Sequence, residues 1–284
     1  MSPVRKKMND PMLALVQGFA AISVTAAVLG LVLFLSAPRD SRELPAEPTQ
    51  PVATRPVSRI PENPYGPEDF TYENGLLTCT AGAALPGVDV SAHQGAVDWE
   101  LVRESGIQFA MIRLGYRGYT NGGIYYDEYA RDNLRGAREA GLEIGAYFYS
   151  QALTVEEARE EARLCLEVLE GMPLELPVVY DWEYVSQEAR TGQMDRQTLT
   201  DCARAFCDAI EASGYEAMIY FNPALTESLL DLEALTDYDW WLAMYSGEMT
   251  FPHAVEMWQY TASGTIPGIE GDVDVNLLFV EESE

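Results

Sequence analysis

Two carboxylates two residues apart, Asp181 and Glu183, close the apolar run Leu176-Pro177-Val178-Val179-Tyr180. The run reads as a β-strand, because its residues are β-branched or aromatic and its proline sits at the start, where a strand tolerates one. Side chains alternate faces along a strand, so Asp181 and Glu183 project to one side and Trp182 to the other. Such a pair can do general acid–base work: close carboxyls and burial raise a pKa, so one group keeps its proton near neutral pH while its neighbour ionises. The same acids could end in salt bridges, cap a helix, or hold Mg²⁺ or Ca²⁺. The choice depends on what else the fold brings to the same place.

A repeating scaffold surrounds the pair. The sequence predicts strands at 87–90, 109–114, 144–149, 177–183, 218–221, 240–245, 255–260 and 272–276. Helices are expected from Asp98 to Ser105, over 127–140, from the capping box of Thr154 and Glu157 to near Gly171, and over 197–213. Gly106, Gly141, Gly171 and Gly214 follow these helices, at the position where a left-handed residue ends a helix before the next strand. The gaps 246–254 and 261–271 are too short for a full helix with its loops. The expected fold is therefore α/β: a single TIM-like β/α barrel over residues 86–284, with eight strands, about five helices and a helix-poor last third. A doubly wound sheet is disfavoured, since strand one leads into Ser91-Ala92-His93-Gln94-Gly95 and not into a glycine-rich phosphate turn.

Chemistry in such a barrel lies at the C-terminal ends of its strands. Read in order, those ends offer Asp89; Arg113 and Tyr116; Tyr147 and Tyr149; Asp181 and Glu183; Tyr220 and Asn222; Trp241 and Tyr245; Trp258, Gln259 and Tyr260; and Asp274 and Asn276. Aromatic faces beside carboxylates suit sugar rings and their hydroxyls. With two histidines and no G-x-S-x-G turn, a Ser-His hydrolase is excluded, and no H-E-x-x-H, Walker A or dinucleotide motif occurs.

The segment Gly87-Val88-Asp89-Val90-Ser91-x-x-Gln94-Gly95-x-x-Asp98-Trp99 resembles the opening signature of the family 25 glycoside hydrolases, lysozymes that act as N-acetylmuramidases. Asp181-Trp182-Glu183, Trp241-Leu242-Ala243-x-Tyr245, Trp258-Gln259-Tyr260 and Val273-Asp274-Val275-Asn276 extend the similarity over about 86–280. The resemblance implies a peptidoglycan hydrolase that cleaves the β-1,4 bond after N-acetylmuramic acid. By it, Glu183 is the proton donor and Asp181 the ionised partner, with Asp89 and Asp274 holding substrate hydroxyls and tuning the pair. Arg113, Tyr147, Tyr149, Tyr220, Trp241, Tyr245, Trp258 and Gln259 are the expected substrate-binding residues, peptidoglycan glycan strands the expected partner, and no cofactor or metal is implied. A catalytically inactive wall-binding module and a carboxylate–metal barrel enzyme are the alternatives, and retaining and inverting routes both stay open.

The rest of the chain concerns place. Residues 12–36 carry no charge and are long enough to span a bilayer core of roughly 30 Å. Arg5, Lys6 and Lys7 precede them, which predicts a cytoplasmic tail over 1–11, a single-pass anchor in the cell membrane, and everything beyond it outside. Residues 37–67 hold eight prolines and no apolar periodicity, an extended spacer, and 68–85 form an N-terminal strap. Residues 86–284 carry eleven arginines against 37 acids, a net charge of −26 that repels nucleic acid. Cys79, Cys165, Cys202 and Cys207 show no metal-ligand spacing and are expected to be free thiols.

Overall fold

The computed structural model describes residues 60–280. The expected tail, membrane span and first part of the spacer lie outside the described residues. Among those described, no helix is long and apolar enough to cross a membrane. The last residues of the expected spacer, 60–67, are packed on the domain: Asn63 N donates to Pro252 O, Ala254 N donates to Pro61 O, and Ile60 is buried. The extended stretch therefore stops short of residue 67.

In chain order the elements are β1 (Phe70–Glu73), β2 (Leu76–Cys79), β3 (Ala84–Val90), α1 (Trp99–Glu104), β4 (Phe109–Arg117), β5 (Ile124–Tyr126), α2 (Ala130–Glu139) and β6 (Glu143–Ser150). There follow α3 (Val155–Leu169), β7 (Val178–Trp182), α4 (Arg196–Glu211), β8 (Ala217–Phe221), α5 (Pro223–Ser228), β9 (Asp239–Ala243), β10 (Met257–Gly264) and β11 (Val273–Phe279). Side chains cap the main helices as their sequences suggest. Asp98, Thr154 and Asp195 accept from backbone N–H groups of the first turns of α1, α3 and α4. The four glycines expected to end helices all have positive φ. Helix α2 starts three residues later than expected, because Asp127 is occupied elsewhere: its carboxylate accepts from Arg113, Ala92 N and Tyr129 N.

Eight strands close a barrel in the order β3-β4-β6-β7-β8-β9-β10-β11, and β11 returns to β3. From β3 through β4, β6, β7, β8 and β9 to β10 each strand runs parallel to the next around the wall, while β5 pairs antiparallel with β4 outside it. Strand β11 is antiparallel to both β10 and β3. The expected TIM-like barrel of eight strands is thus a closed mixed barrel, with one strand running against the rest. The reason is length: a parallel return needs a crossover of about a dozen residues or more, and only 265–272 separate β10 from β11.

Alternation along the strands makes two apolar layers. Phe109, Met111, Val179, Met218, Trp241 and Met257 fill the barrel. Ala110, Ile112, Tyr180, Trp182, Ile219 and Trp258 face outward, most of them under the helices. Gly87 is required by the first layer, since a Cβ there would lie 2.3 Å from the Phe109 ring. The β1–β2 hairpin covers a stretch of wall without a helix: Phe70 meets Trp258 edge-on at 5.1 Å, and Leu77 N donates to the Tyr260 hydroxyl. Cys165, Cys202 and Cys207 are buried, and all four cysteines are free.

Candidate active site

The filled barrel leaves a hollow of about 310 Å³ at the end where β3 to β10 finish. Its acids are Asp89 from β3, Asp181 from β7, Glu183 one residue beyond β7, and Asp274 from β11. Asp274 reaches this end because β11 runs backwards: it lies near the beginning of its strand, directly opposite Asp89 in the β11–β3 register. The residue was expected at the mouth, but by a parallel topology the chain does not have.

Arg113, Tyr147, Tyr149, Tyr220, Trp241, Tyr245 and Gln259 line the same hollow, as expected. Trp258 does not. It precedes Gln259 on β10, so the two cannot share a face; its ring packs outward and its Nε1 donates to Met244 O. Tyr260 faces outward for the same reason, and Asn222 is the N-cap of α5, accepting from Leu225 N. Ser91, His93, Gln94 and Ala262 complete the lining without having been singled out. The first three belong to the loop after β3, whose family signature was visible but whose side chains had been given no role.

Hydrogen bonds hold the acids unequally. Asp89 Oδ2 accepts from Gln259 Nε2 and from Asn276 Nδ2, both at 2.8 Å. Gln259 Oε1 in turn accepts from the hydroxyls of Tyr220 (2.9 Å) and Tyr245 (2.6 Å), and Asn276 Oδ1 accepts from Trp241 Nε1. Asp89 is thus the hub of a network that fixes the aromatic wall. Arg113 is pinned from behind by Asp127, Nε to Oδ2 at 2.8 Å, and Asp127 is itself fully buried. Gln151, also buried, donates from Nε2 to the Glu183 carbonyl and accepts from Thr191. Asp181 is the exception: its Oδ1 is buried without a partner. Asp127 and Gln151 left no signal in the sequence, because each acts through a neighbour fixed only by folding.

The electrostatics follow from four acids sharing one small space. Burial raises the Asp89 carboxyl well above the ordinary range, with the charge of Asp274 adding to it and the bonds from Asn276 and Gln259 opposing. Asp181 is pushed well up by burial, then by Glu183 and Asp89, and Arg113 pulls it back. Glu183, partly open to the cleft, is raised by burial and by Asp274. Burial likewise raises Asp274. The phenols of Tyr147, Tyr149 and Tyr220 all move upward, chiefly through burial, and stay neutral donors. The hollow therefore favours the protonated form of its carboxyls more than water does, the direction that a proton donor to a leaving oxygen requires.

A larger hollow of about 560 Å³ lies on the outer surface beside α5 and residues 244–253. Its arginine, Arg196, is committed to the carbonyls of Leu230, Thr226 and Glu227. Among the described residues, no group of three or more His, Cys, Asp or Glu side chains is placed to hold a metal ion.

Residues 88–269 match the family model described as glycosyl hydrolases family 25. An autolytic lysozyme of Clostridium acetobutylicum is 28% identical over 68% of this chain, and the match spans 55% of the relative's length. The modular autolysin LytC of Streptococcus pneumoniae, solved in complex with a synthetic peptidoglycan ligand, superposes with a TM-score of 0.60 at 26% identity. That superposition covers 68% of this chain and 46% of LytC. A family 25 glycosyl hydrolase from Bacillus anthracis shares the fold, with a TM-score of 0.58 at 21% identity over 75% of this chain and 96% of its own. The chain thus spans about half the length of the autolytic lysozyme and of LytC. It belongs to glycosyl hydrolases family 25.

Proposed function

We propose that this chain is a peptidoglycan hydrolase that cleaves the β-1,4 bond between N-acetylmuramic acid and N-acetylglucosamine. The carrying observation is that Asp181 and Glu183 share one hollow with Asp89, Asp274 and a wall of tyrosines and tryptophan, in a family 25 chain. Glu183, at the open side, donates its proton to the glycosidic oxygen. Asp181, deeper and beside Arg113, is the ionised partner. Burial makes that ionised state costly in the free enzyme. The cost is offset as oxocarbenium-like positive charge develops on the sugar, which is where an electrostatic contribution accelerates the reaction. Asp89 and Asp274 hold substrate hydroxyls, and Asp274 favours the protonated form of Glu183.

The full chain incubated with purified peptidoglycan should release new reducing ends on N-acetylmuramic acid. Reducing N-acetylglucosamine would overturn the bond assignment. Retention on the polymer without any new ends would leave only a binding module. Abolition of activity by EDTA would replace the two-carboxylate route with a metal-dependent one.

The charge pattern of residues 1–36 supports a second part of the reading: an anchor over 12–36 that holds the enzyme at the outer face of the cell membrane. Tethering raises the local concentration of wall polymer without a binding repeat. Protease added to intact protoplasts should then remove the domain from the membrane fraction. Full-length protein in the medium, or a membrane-bound form that resists protease, would refute the anchor.

A further inference from the structure

The hollow is at the small end of the range for ligand pockets, roughly 300–1,000 Å³. A glycan strand seated there must leave it across some neighbouring surface. Among the described residues nine large hydrophobic side chains are exposed, and four of them, Tyr119, Ile124, Tyr125 and Tyr126, crowd onto the single hairpin between β4 and β5. Neighbours on β5 alternate, so Tyr125 faces away from Ile124 and Tyr126, and its side of the hairpin is the one that meets Tyr116. The hairpin is continuous with the hollow. Arg113 lines the hollow and carries its guanidinium 5.4 Å from the Tyr116 ring, and Tyr116 stacks on Tyr125 at 5.2 Å with 26° between the planes. The stack therefore runs from the acids outward to a ring that is 40% exposed.

The hairpin is also held rigid, which an idle surface loop does not need. Arg117 is buried and donates from Nη1 to Gly122 O in the turn while its Nε is bonded to Glu161. Arg190 N donates to Tyr119 O, and the Arg190 side chain is locked by two bonds to Glu157. Asn121 donates to the Tyr125 hydroxyl, fixing the outermost ring. Preorganised aromatic faces bind at low entropic cost.

We propose that the Tyr116–Tyr125 stack is a distal sugar subsite, on which a pyranose ring of the same glycan strand lies as the strand leaves the catalytic hollow. The proposal rests on the peptidoglycan reading above. Binding energy gathered there serves the reaction at a distance, because contacts remote from the scissile bond can hold the sugar at that bond in its reactive position.

The test uses the full chain carrying Glu183→Gln, titrated with peptide-free peptidoglycan glycan fragments of two to eight sugars. Affinity should rise with length and then step up by about tenfold when the fragment reaches the stack, the size expected of one good aromatic contact. Adding Tyr125→Ala should erase that step, and Tyr125→Phe, which keeps the ring, should preserve it. An unchanged step in Tyr125→Ala, with the thermal transition also unchanged, would overturn the subsite. Failure of fragments of every length to bind the Glu183→Gln chain would instead overturn the substrate reading on which the subsite rests.

Discussion

The barrel wall has two clusters of buried carboxylates, one on each side, and they are solved in opposite ways. On the outside, under α3, Glu161 accepts from Arg117 Nε and from Ser150 Oγ, both at 2.6 Å, and Glu157 takes two bonds from Arg190. Burial pushes Glu161 up to about 7 in spite of these partners, but both its oxygens are occupied. On the inside, four acids meet one arginine, and that arginine is bonded to a fifth acid, Asp127. One oxygen of Asp181 has no partner at all. The outer cluster gives every charge an opposite charge and so serves the fold. The inner one withholds cations, and the unmet demand is available to a substrate that becomes positive as it reacts.

That contrast can be broken from either side. The largest effect is expected inside: Glu183→Gln should lower turnover on peptidoglycan by about 10²–10⁴-fold while leaving the thermal transition in place, read by reducing-end assay and calorimetry together. A variant near the parent rate would remove Glu183 from its role. Outside, the balance reverses. Arg117→Met strands Glu161 and should cost about 3–5 kcal/mol of unfolding free energy in urea. Replacing both partners, Arg117→Met with Glu161→Leu, should restore much of the loss, whereas a double variant as unstable as the single one would contradict the pairing.

Smaller effects come with pH. Asp274 is among the causes that raise Glu183, so Asp274→Asn should move the alkaline limb of kcat/KM to lower pH. A limb that stays or moves upward would separate the two residues. The inner acids all have folded pKa values above their ordinary ones. Their contribution to stability is therefore complete at acid pH, below the ordinary carboxylate range, and is lost as pH rises through the folded values. Asp89→Asn should flatten the fall in Tm between mildly acid and neutral pH, measured at high salt so that the general surface repulsion is screened.

Much of this was legible before folding, because periods of two and of 3.6 residues are local. The eight strands, the glycine stops and the placing of Asp181 and Glu183 on one face follow from neighbours in sequence. Trp258 and Gln259 show the same rule neglected: adjacent strand residues face opposite ways, so only one of them belonged in the hollow. The reversal of β11 was also within reach, since eight residues cannot make a parallel crossover. The supports were not legible. Nothing local tells that Asp127, between β5 and α2, pins Arg113, or that Gln151 reaches the Glu183 carbonyl. Those pairings exist only once the strands have closed.

Strand β11 ties function to completion of the chain. It lies between β10 and β3, and its Asn276 bonds Asp89 across 187 residues of sequence. During synthesis β3 is made early and then waits, with an unpaired edge, for a partner that emerges only after every other strand. A chain interrupted before residue 273 lacks the stave that closes the barrel, and it also lacks Asp274 and the amide that holds Asp89. Truncated chains are thus open at two strand edges and stripped of one acid at once. The cluster of four acids is complete only with the last strand of the barrel.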